Sequence, residues 1–301
     1  MISAVIHTYN EEKNIERCLS SLAWVDERII IDMGSTDRTC DKAQQFKAKI
    51  FSHPYTGFVE PARNFGLSKA KGDWIFIIDA DEEIPKNLAN RLLVETQKSS
   101  YDYYRIARKN IIFGKWIKHT GWWPDYQVRF FRRGAVSWTE KIHGVPLTKG
   151  QGIDIEVSGD MHLIHYHYQG LDQYINRMNR YTTISSKDLF VSNYRFKKVQ
   201  LFEMPIREFI NRYFIWEGYK DGIHGLALSL LQSFSELITY LKLWELENFI
   251  EEKITLAETE KIFSKESRSI QHWLINCLLQ QPHNLFEEMY WRLKRKLNFH
   301  G

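Results

Sequence analysis

At positions 74–81 the chain reads Trp74-Ile75-Phe76-Ile77-Ile78-Asp79-Ala80-Asp81, an apolar run that ends in two alternating carboxylates. A run of this kind, bounded on both sides by turn-forming residues, is typical of a buried parallel strand. Side chains alternate across a strand, so Asp79 and Asp81 are expected on the same side of its carboxyl end. Two close carboxylates repel each other, and a divalent cation relieves that repulsion. Oxygen ligands of this type suit Mg²⁺ or Mn²⁺ bridging a diphosphate.

The first hundred residues alternate between strand and helix patterns around this stretch. Strands are predicted at 2–8, 28–31, 50–51 and 74–78, and helices at 10–22, 35–46, 61–70 and 85–96. Repeated βαβ units predict an α/β fold, a Rossmann-like, mostly parallel sheet with helices on both faces. In such sheets ligands bind at the carboxyl ends of the strands. Tyr9, Asn10 and Asp32 are therefore expected on the same rim as Asp79 and Asp81.

The pattern changes after about residue 100. Short strands rich in aromatic residues, predicted at 103–107, 127–131, 142–147 and 162–165, indicate mixed or antiparallel sheet. Beyond Gly170 the chain turns helical, with helices predicted at 171–189, 205–217, 224–244, 268–280 and 285–296. Glu82 and Glu83 are interpreted as charges that complement the N-terminus of the helix after the fourth strand.

Composition indicates a folded protein, with 44% hydrophobic and 26% charged residues. A net charge of +4 suits anionic ligands such as nucleotide-sugars or lipid headgroups and does not demand a nucleic acid partner. Cys18, Cys40 and Cys277 form no paired framework, which favours the reducing cytosol. No signal peptide and no apolar run of ~20 residues is evident, so we expect a cytoplasmic protein that is not integral to a membrane.

Four ordered segments resemble the motifs of family 2 glycosyltransferases of the GT-A fold, over roughly residues 1–165. They are Thr8-Tyr9-Asn10-Glu11-Glu12, Asp32-Met33-Gly34-Ser35-Thr36-Asp37, Ala62-Arg63-Asn64-Phe65-Gly66 and Asp79-Ala80-Asp81. The resemblance implies a UDP-sugar donor, a bound Mg²⁺ or Mn²⁺ ion, and transfer of the sugar to an acceptor hydroxyl.

The resemblance also implies roles for individual residues on the donor side. Tyr9 and Asp32 would hold the nucleotide base, within a nucleotide site formed by Thr8, Tyr9, Asn10, Glu11, Asp32, Arg63 and Asp79. Arg63 would lie beside the diphosphate, while Asp79 and Asp81 would serve the ribose and the metal. The plainer alternatives are that Asp32 caps the following turn and that Arg63 is a surface helix residue.

On the acceptor side, the family's general base is an Asp shortly before a strand that contains an Arg. The segment 122–129 occupies that position here, so the base is assigned to Asp125, and displacement in one step would invert the anomeric centre. Pro124 stands where the family usually has an acidic residue. If Asp125 is only a turn residue, Glu140 is the next candidate base. Further acceptor or diphosphate candidates are Trp122, Trp123, Arg129 and His165.

Two histidines follow this region. His143, in a segment that resembles the second half of the family site, would be a third metal ligand or a diphosphate donor. His165 would line the acceptor pocket. A structural hydrogen-bonding role is the alternative for His143.

The C-terminal part narrows the resemblance. The segment 209–222, followed by the apolar stretch 226–243, resembles the tail of bacterial lipopolysaccharide-core β-glucosyltransferases, which add glucose to an inner-core heptose on a lipid carrier. This implies UDP-glucose as donor and a lipid-linked saccharide as acceptor. We predict a catalytic GT-A domain at 1–168, a helical, membrane-proximal region at 169–248 and a helical appendage at 249–301.

Aromatic and cationic residues flank the apolar stretch, which suggests an interfacial anchor at the inner face of the cytoplasmic membrane. The basic cluster 292–296 would favour anionic lipid. The alternatives are a helix packed onto the catalytic domain and a homodimer interface. A capsule precursor, a polyprenyl phosphate or a protein are alternative acceptors, and a non-catalytic nucleotide-sugar-binding protein is the alternative of another class.

Overall fold

The computed structural model describes residues 1–55, 59–98, 100–139, 146–282 and 284–299. The chain divides into two compact units. The first comprises Met1–Ile112 and Trp123–His167, and the second comprises Phe113–Trp122 and Tyr168–Gly301.

The first unit is built on one large sheet, whose strands follow the order β3-β2-β1-β4-β8-β6-β12-β5. Strands β1 to β4 run parallel to one another, whereas β8 is antiparallel to both β4 and β6. The strands described in chain order are β1 (Ile2–Thr8), β2 (Glu27–Asp32), β3 (Lys49–Ser52), β4 (Trp74–Asp79), β5 (Glu82–Glu83), β6 (Tyr103–Ile112), β7 (Lys115–Trp116, in the second unit), β8 (Asp125–Arg132), β9 (Val136–Trp138), β10 (Pro146–Thr148), β11 (Gly152–Asp154) and β12 (Leu163–Tyr168).

Helices cover both faces of this sheet, as predicted. They are α1 (Ile15–Ser21), α2 (Thr39–Gln45), α3 (Glu60–Lys69) and α4 (Lys86–Lys98). Every residue of β1 is buried, and its side chains alternate: Ala4 and Ile6 pack in one core cluster with Ile15 of α1, while Val5 packs in the other with Ala62 of α3. Because both faces of β1 are covered, its sequence is continuously apolar rather than alternating. The predicted α/β fold is confirmed.

Two local predictions at the rim are wrong. The first helix begins at Ile15 and not at Asn10, whose φ of 57° is left-handed and incompatible with a helix start. Glu82 and Glu83 are not charges at a helix N-terminus, because they form β5, which pairs antiparallel with β12. The fully buried Glu82 is balanced by an arginine, and α4 starts only at Lys86.

The second unit is helical. Its helices are α5 (Leu171–Val191), α6 (Gln200–Ile210), α7 (Ile223–Leu246), α8 (Leu256–Leu279) and α9 (Leu285–Phe299), with a π-helical turn at Asn211–Ile215 and a 3₁₀ turn at Gly218–Asp221. Helix α8 begins well before the predicted residue 268, because Thr255 and Glu258 form a capping box. Buried Asp221 accepts from the backbone N–H of His119 at 2.8 Å, which ties segment 113–122 to this unit.

Helix α7 contains the apolar stretch that was predicted as an interfacial anchor. It packs against α5 and α6, with Leu228 and Leu243 fully buried. Packing against the catalytic unit, a membrane contact and a homodimer interface stay predictions for α7. Among the described residues, no helix is both long and apolar enough to cross a membrane.

Candidate functional site

The loops after β1 and β2 are tied together by side chains of the first two motifs. The hydroxyl of Thr8 donates to Asp32 Oδ1 at 3.3 Å, and Asp32 Oδ2 accepts the backbone N–H groups of Gly34 and Ser35 at 3.1 Å each. The carboxylate of Asp32 therefore shapes the turn that follows it, while remaining at the carboxyl end of β2. Its binding of a base stays a prediction.

Asn10 and Glu11 continue the same connection. Asn10 Oδ1 accepts the N–H of Thr36 at 2.8 Å, and the N–H of Glu11 donates to Thr39 Oγ1 at 2.8 Å. These bonds fix the backbone of the loop after β1 against the loop after β2.

Tyr9 stacks on Tyr55, with ring centroids 4.2 Å apart and ring planes within 2° of parallel. Both rings are partly exposed. Flat stacking is the geometry in which aromatic side chains also hold a nucleotide base. Tyr55 was not predicted as a site residue. The one feature of the sequence that could have indicated it is an aromatic residue soon after the third strand.

Asp79 lies in a network of buried charges at the end of β4. Arg129 Nη2 donates to Asp79 Oδ2 and to Glu82 Oε1, each at 2.6 Å, and Arg63 Nη2 lies 3.8 Å from Asp79 Oδ1. Burial opposes ionisation of Asp79, but Arg129 and Arg63 outweigh it and hold its pKa well below the usual range. The structure therefore brings together Asp79, Arg63 and Arg129, with Arg129 as the buried counterion.

Asp81 faces a histidine from β12. His165 Nε2 lies 3.4 Å from Asp81 Oδ2, and His165 Nδ1 lies 2.6 Å from Asn110 Oδ1. The amide orientation of Asn110 is fixed by its Nδ2, which donates to Asp125 at 3.4 Å. Asn110 Oδ1 is thus an acceptor, so the proton of a neutral His165 sits on Nδ1. Because Asn110 occupies Nδ1, Nε2 is the ring nitrogen that faces the carboxylate of Asp81, and a cation between the two groups could be held by both.

Asp125 begins β8 and accepts three side-chain hydrogen bonds. Its donors are Arg108 Nε at 2.8 Å, Gln127 Nε2 at 2.7 Å and Asn110 Nδ2 at 3.4 Å. Burial raises the pKa of Asp125, but the Arg108 guanidinium and the other donors lower it below its ordinary value. The carboxylate is ionised at neutral pH and well oriented, and Asn110 links it to His165.

A cavity of about 400 Å³ lies within the first unit, beside Asp79 and Gln127. Four arginines line it, namely Arg63, Arg105, Arg108 and Arg129, together with Asp79 and Trp138. Arg63 lies over the ring of Trp138, 5.3 Å from its centroid. A cavity rich in guanidinium groups suits a polyanion such as a diphosphate, because the fork of donors matches phosphate oxygens. Arg105 and Arg108 were not predicted as site residues.

The remaining predicted residues fall into two groups. Trp123 packs edge-on against His162 in the first unit, whereas Trp122 belongs to the second unit, where it packs edge-on against Tyr168. Glu140 and His143 lie outside the described residues. Over the ranges that are described, no group of three or more His, Cys, Asp or Glu side chains is arranged to hold a metal.

Comparisons with known proteins point to glycosyltransferases. Residues 3–149 match the sequence model of glycosyl transferase family 2. An uncharacterized glycosyltransferase of Rickettsia typhi is 28% identical over 81% of this chain and 87% of its own length. The lipopolysaccharide core biosynthesis glycosyltransferase LpsC of Rhizobium meliloti is 25% identical over 81% of this chain and 92% of its own. Glucosyl-3-phosphoglycerate synthase from Mycobacterium tuberculosis, solved with Mn²⁺ and UDP, is 28% identical over 36% of this chain and 44% of that one, with a TM-score of 0.30.

Proposed function

We propose that this chain, a glycosyltransferase with a family 2 domain at residues 3–149, moves glucose from UDP-glucose to a heptose hydroxyl of a lipopolysaccharide core. The observation that carries the proposal is the arginine-lined cavity that includes Asp79, at the carboxyl end of β4. The likeness to LpsC over most of both chains supports an acceptor in the lipopolysaccharide core. A lipid-linked acceptor would bring the protein to the inner face of the cytoplasmic membrane as a peripheral protein, alone or as a homodimer.

The donor's nucleotide would lie along the rim formed by the first two motifs. Its base would stack on Tyr9 and contact Asp32, with Thr8, Asn10 and Glu11 holding the backbone around it. The diphosphate would enter the cavity, where Arg63 and Arg108 offer guanidinium donors. Because negative charge grows on the diphosphate as it leaves, these donors stabilise the transition state more than the ground state.

A divalent cation fits the pair Asp81 and His165, whose Oδ2 and Nε2 lie 3.4 Å apart. Mg²⁺ or Mn²⁺ sites commonly use one or two protein ligands and complete their coordination with substrate phosphates. When bound, the ion supplies Lewis-acid neutralisation of the departing diphosphate. Asp79 is balanced by Arg129 and Arg63, so we assign it to the ribose and to positioning these arginines.

Asp125 would accept the proton of the acceptor hydroxyl as that oxygen attacks the anomeric carbon. Its low pKa makes it a weak base, so the proton leaves the hydroxyl only as the new glycosidic bond forms. Attack from the side opposite the leaving diphosphate inverts the anomeric configuration.

The test is a donor screen by nucleotide release. Purified protein is mixed with Mg²⁺ or Mn²⁺ and UDP-, GDP- or dTDP-sugars, with and without a heptose-terminated lipid acceptor. UDP release from UDP-glucose alone, stimulated by the acceptor, is the expected result. Release of nucleotide from another sugar donor would rule out glucose as the transferred sugar. A product that extracts into lipid when a polyprenyl phosphate is the acceptor would rule out heptose as the acceptor.

Asp125→Asn tests the chemistry in the same assay. We expect UDP binding to persist and transfer to fall by about 10²–10⁴-fold. Asp160→Asn is the matched control, because Asp160 is exposed in the same unit. Full transfer by Asp125→Asn would place the base elsewhere.

A further inference from the structure

Helix α9 turns its large apolar side chains outward. It contacts α8, and its partly buried residues Glu288 and Trp291 are one turn apart. Five other apolar or aromatic side chains are exposed: Leu285 by 72%, Phe286 by 84%, Met289 by 62%, Tyr290 by 55% and Leu293 by 60%. A short helix that packs onto one neighbour would normally bury such residues, so this face calls for a partner.

The exposed residues form one continuous face. At 3.6 residues per turn, the five side chains lie within an arc of about 140°. Lys294 lies at one edge of this arc and Arg292 at the other, while Glu287 and Glu288 lie on the remaining side. The Nζ of Lys294 is 5.8 Å from the centroid of the Tyr290 ring, so its stem runs beside the apolar face.

We propose that this α9 face, defined by Leu285, Phe286, Met289, Tyr290 and Leu293, lies in the interface of an anionic membrane. Apolar side chains would enter the acyl boundary, and the flanking cations would reach lipid phosphates by snorkelling. Arg292 pairs with Glu288 at 2.6 Å, so Lys294, Arg295 and Lys296 supply the positive charge that makes the C-terminal end of the helix complementary to anionic headgroups. The same cations disfavour a second copy packed with its α9 parallel to this one, because that arrangement would bring like charges together.

This inference deepens the membrane placement proposed above, and rests on it for the partner. It places the contact on α9, where the five exposed apolar side chains share one face, rather than on α7, whose Leu228, Tyr240 and Leu243 are buried although Leu230 and Phe234 are exposed.

The experiment is flotation of the full chain with vesicles of phosphatidylcholine alone, or of phosphatidylcholine with phosphatidylglycerol, at low and high salt. The test variant is Phe286→Glu with Leu293→Glu, two substitutions at exposed positions away from the partly buried Glu288 and Trp291. The matched control is Leu256→Glu, since Leu256 is 89% exposed but lies on α8. Metal-dependent UDP binding, followed by thermal shift, reports on folding and on the donor site in every variant.

We expect the wild type and Leu256→Glu to float with the anionic vesicles, and less at high salt. The double variant should float at least about tenfold less and bind UDP normally. Flotation of the double variant at the wild-type level overturns the proposal. So does a wild type that never floats but forms dimers that the double variant loses, because the face then covers a second copy. If neither the wild type nor the variants bind UDP, but all of them float as expected, the result would contradict the proposed function and leave the membrane proposal standing.

Discussion

His165 Nε2 lies 3.4 Å from a carboxylate oxygen of Asp81, and its position is set from behind by Asn110. Asp81 follows the end of β4, in the segment that the sequence predicts to bind a metal, whereas His165 lies in β12, far along the chain. Since Asn110 also donates to Asp125, one amide connects the candidate metal site with the candidate base.

Substitution of Asp81 or His165 should remove metal-dependent donor binding. In Asp81→Ala and His165→Gln we expect the affinity for UDP in Mn²⁺ to fall to the value measured in EDTA, and metal-dependent turnover to disappear for Asp81→Ala. Calorimetric titration with and without Mn²⁺ measures this, and the metal-free affinity serves as the internal control. Unchanged Mn²⁺ enhancement in both variants would assign the metal to other ligands.

Asn110 should act as a positioning residue with two separable effects. Asn110→Leu removes the acceptor for His165 Nδ1–H and should lower Mn²⁺ affinity about 10–100-fold, the usual effect of losing a partner behind a metal-binding histidine. Asn110→Asp keeps that acceptor but faces Asp125 with a second carboxylate. We therefore expect near-normal Mn²⁺ affinity and a raised pKa of Asp125 in the pH–rate profile. Equal losses of Mn²⁺ affinity in both variants would indicate a purely structural role.

Arg108 should control the acid side of the activity profile. The pKa of Asp125 is lowered by Arg108 against the opposing effect of burial. In Arg108→Gln burial acts with less opposition, so the pKa of Asp125 rises and the acid limb of kcat/KM moves to higher pH. Arg105→Gln is the control, because Arg105 lines the same cavity but pairs with Asp154 at 2.6 Å. An acid limb that stays in place in Arg108→Gln would argue against Asp125 as the titrating base.

The parallel half of the fold and its rim were predictable because their signals are local. An apolar run between turn residues marks each buried strand, and the alternation of side chains predicts Asp79 and Asp81 on one side of the strand end, although in the structure Asp79 contacts Arg129 while Asp81 faces His165. Polar residues that follow neighbouring strands, such as Asp32, then belong to the same rim. These inferences require only short stretches of sequence.

The antiparallel half could not be predicted in the same way. Arg108 meets Asp125 because β6 and β8 pair in the register that sets these two residues opposite each other. Glu82 meets His165 through the pairing of β5 with β12. Neither register is encoded in a local pattern, and a glutamate before a helix is ordinarily a solvated charge. The place of Arg105 and Arg108 in the cavity and the role of Asn110 emerge only from this pairing.

His7 should make the first unit sensitive to acid. Burial, aided by the nearby Arg63, lowers the pKa of His7 to about 3 from 6.5. The unfolded chain binds this proton below pH 6.5 while the folded chain does not, so the contribution of His7 is complete above pH 6.5. It is lost progressively as the pH falls toward 3. Between pH 7.5 and pH 5 the loss is about 2 kcal/mol in the free energy of unfolding.

His7→Gln can still donate to the carbonyl of Ala62, which lies 3.2 Å from His7 Nε2, but cannot titrate. We expect urea unfolding of this variant to show an acid loss smaller than the wild type's by that amount. His272→Gln, in α8, should keep the wild-type loss. An equal acid loss in the wild type and His7→Gln would show that protonation of His7 does not limit stability.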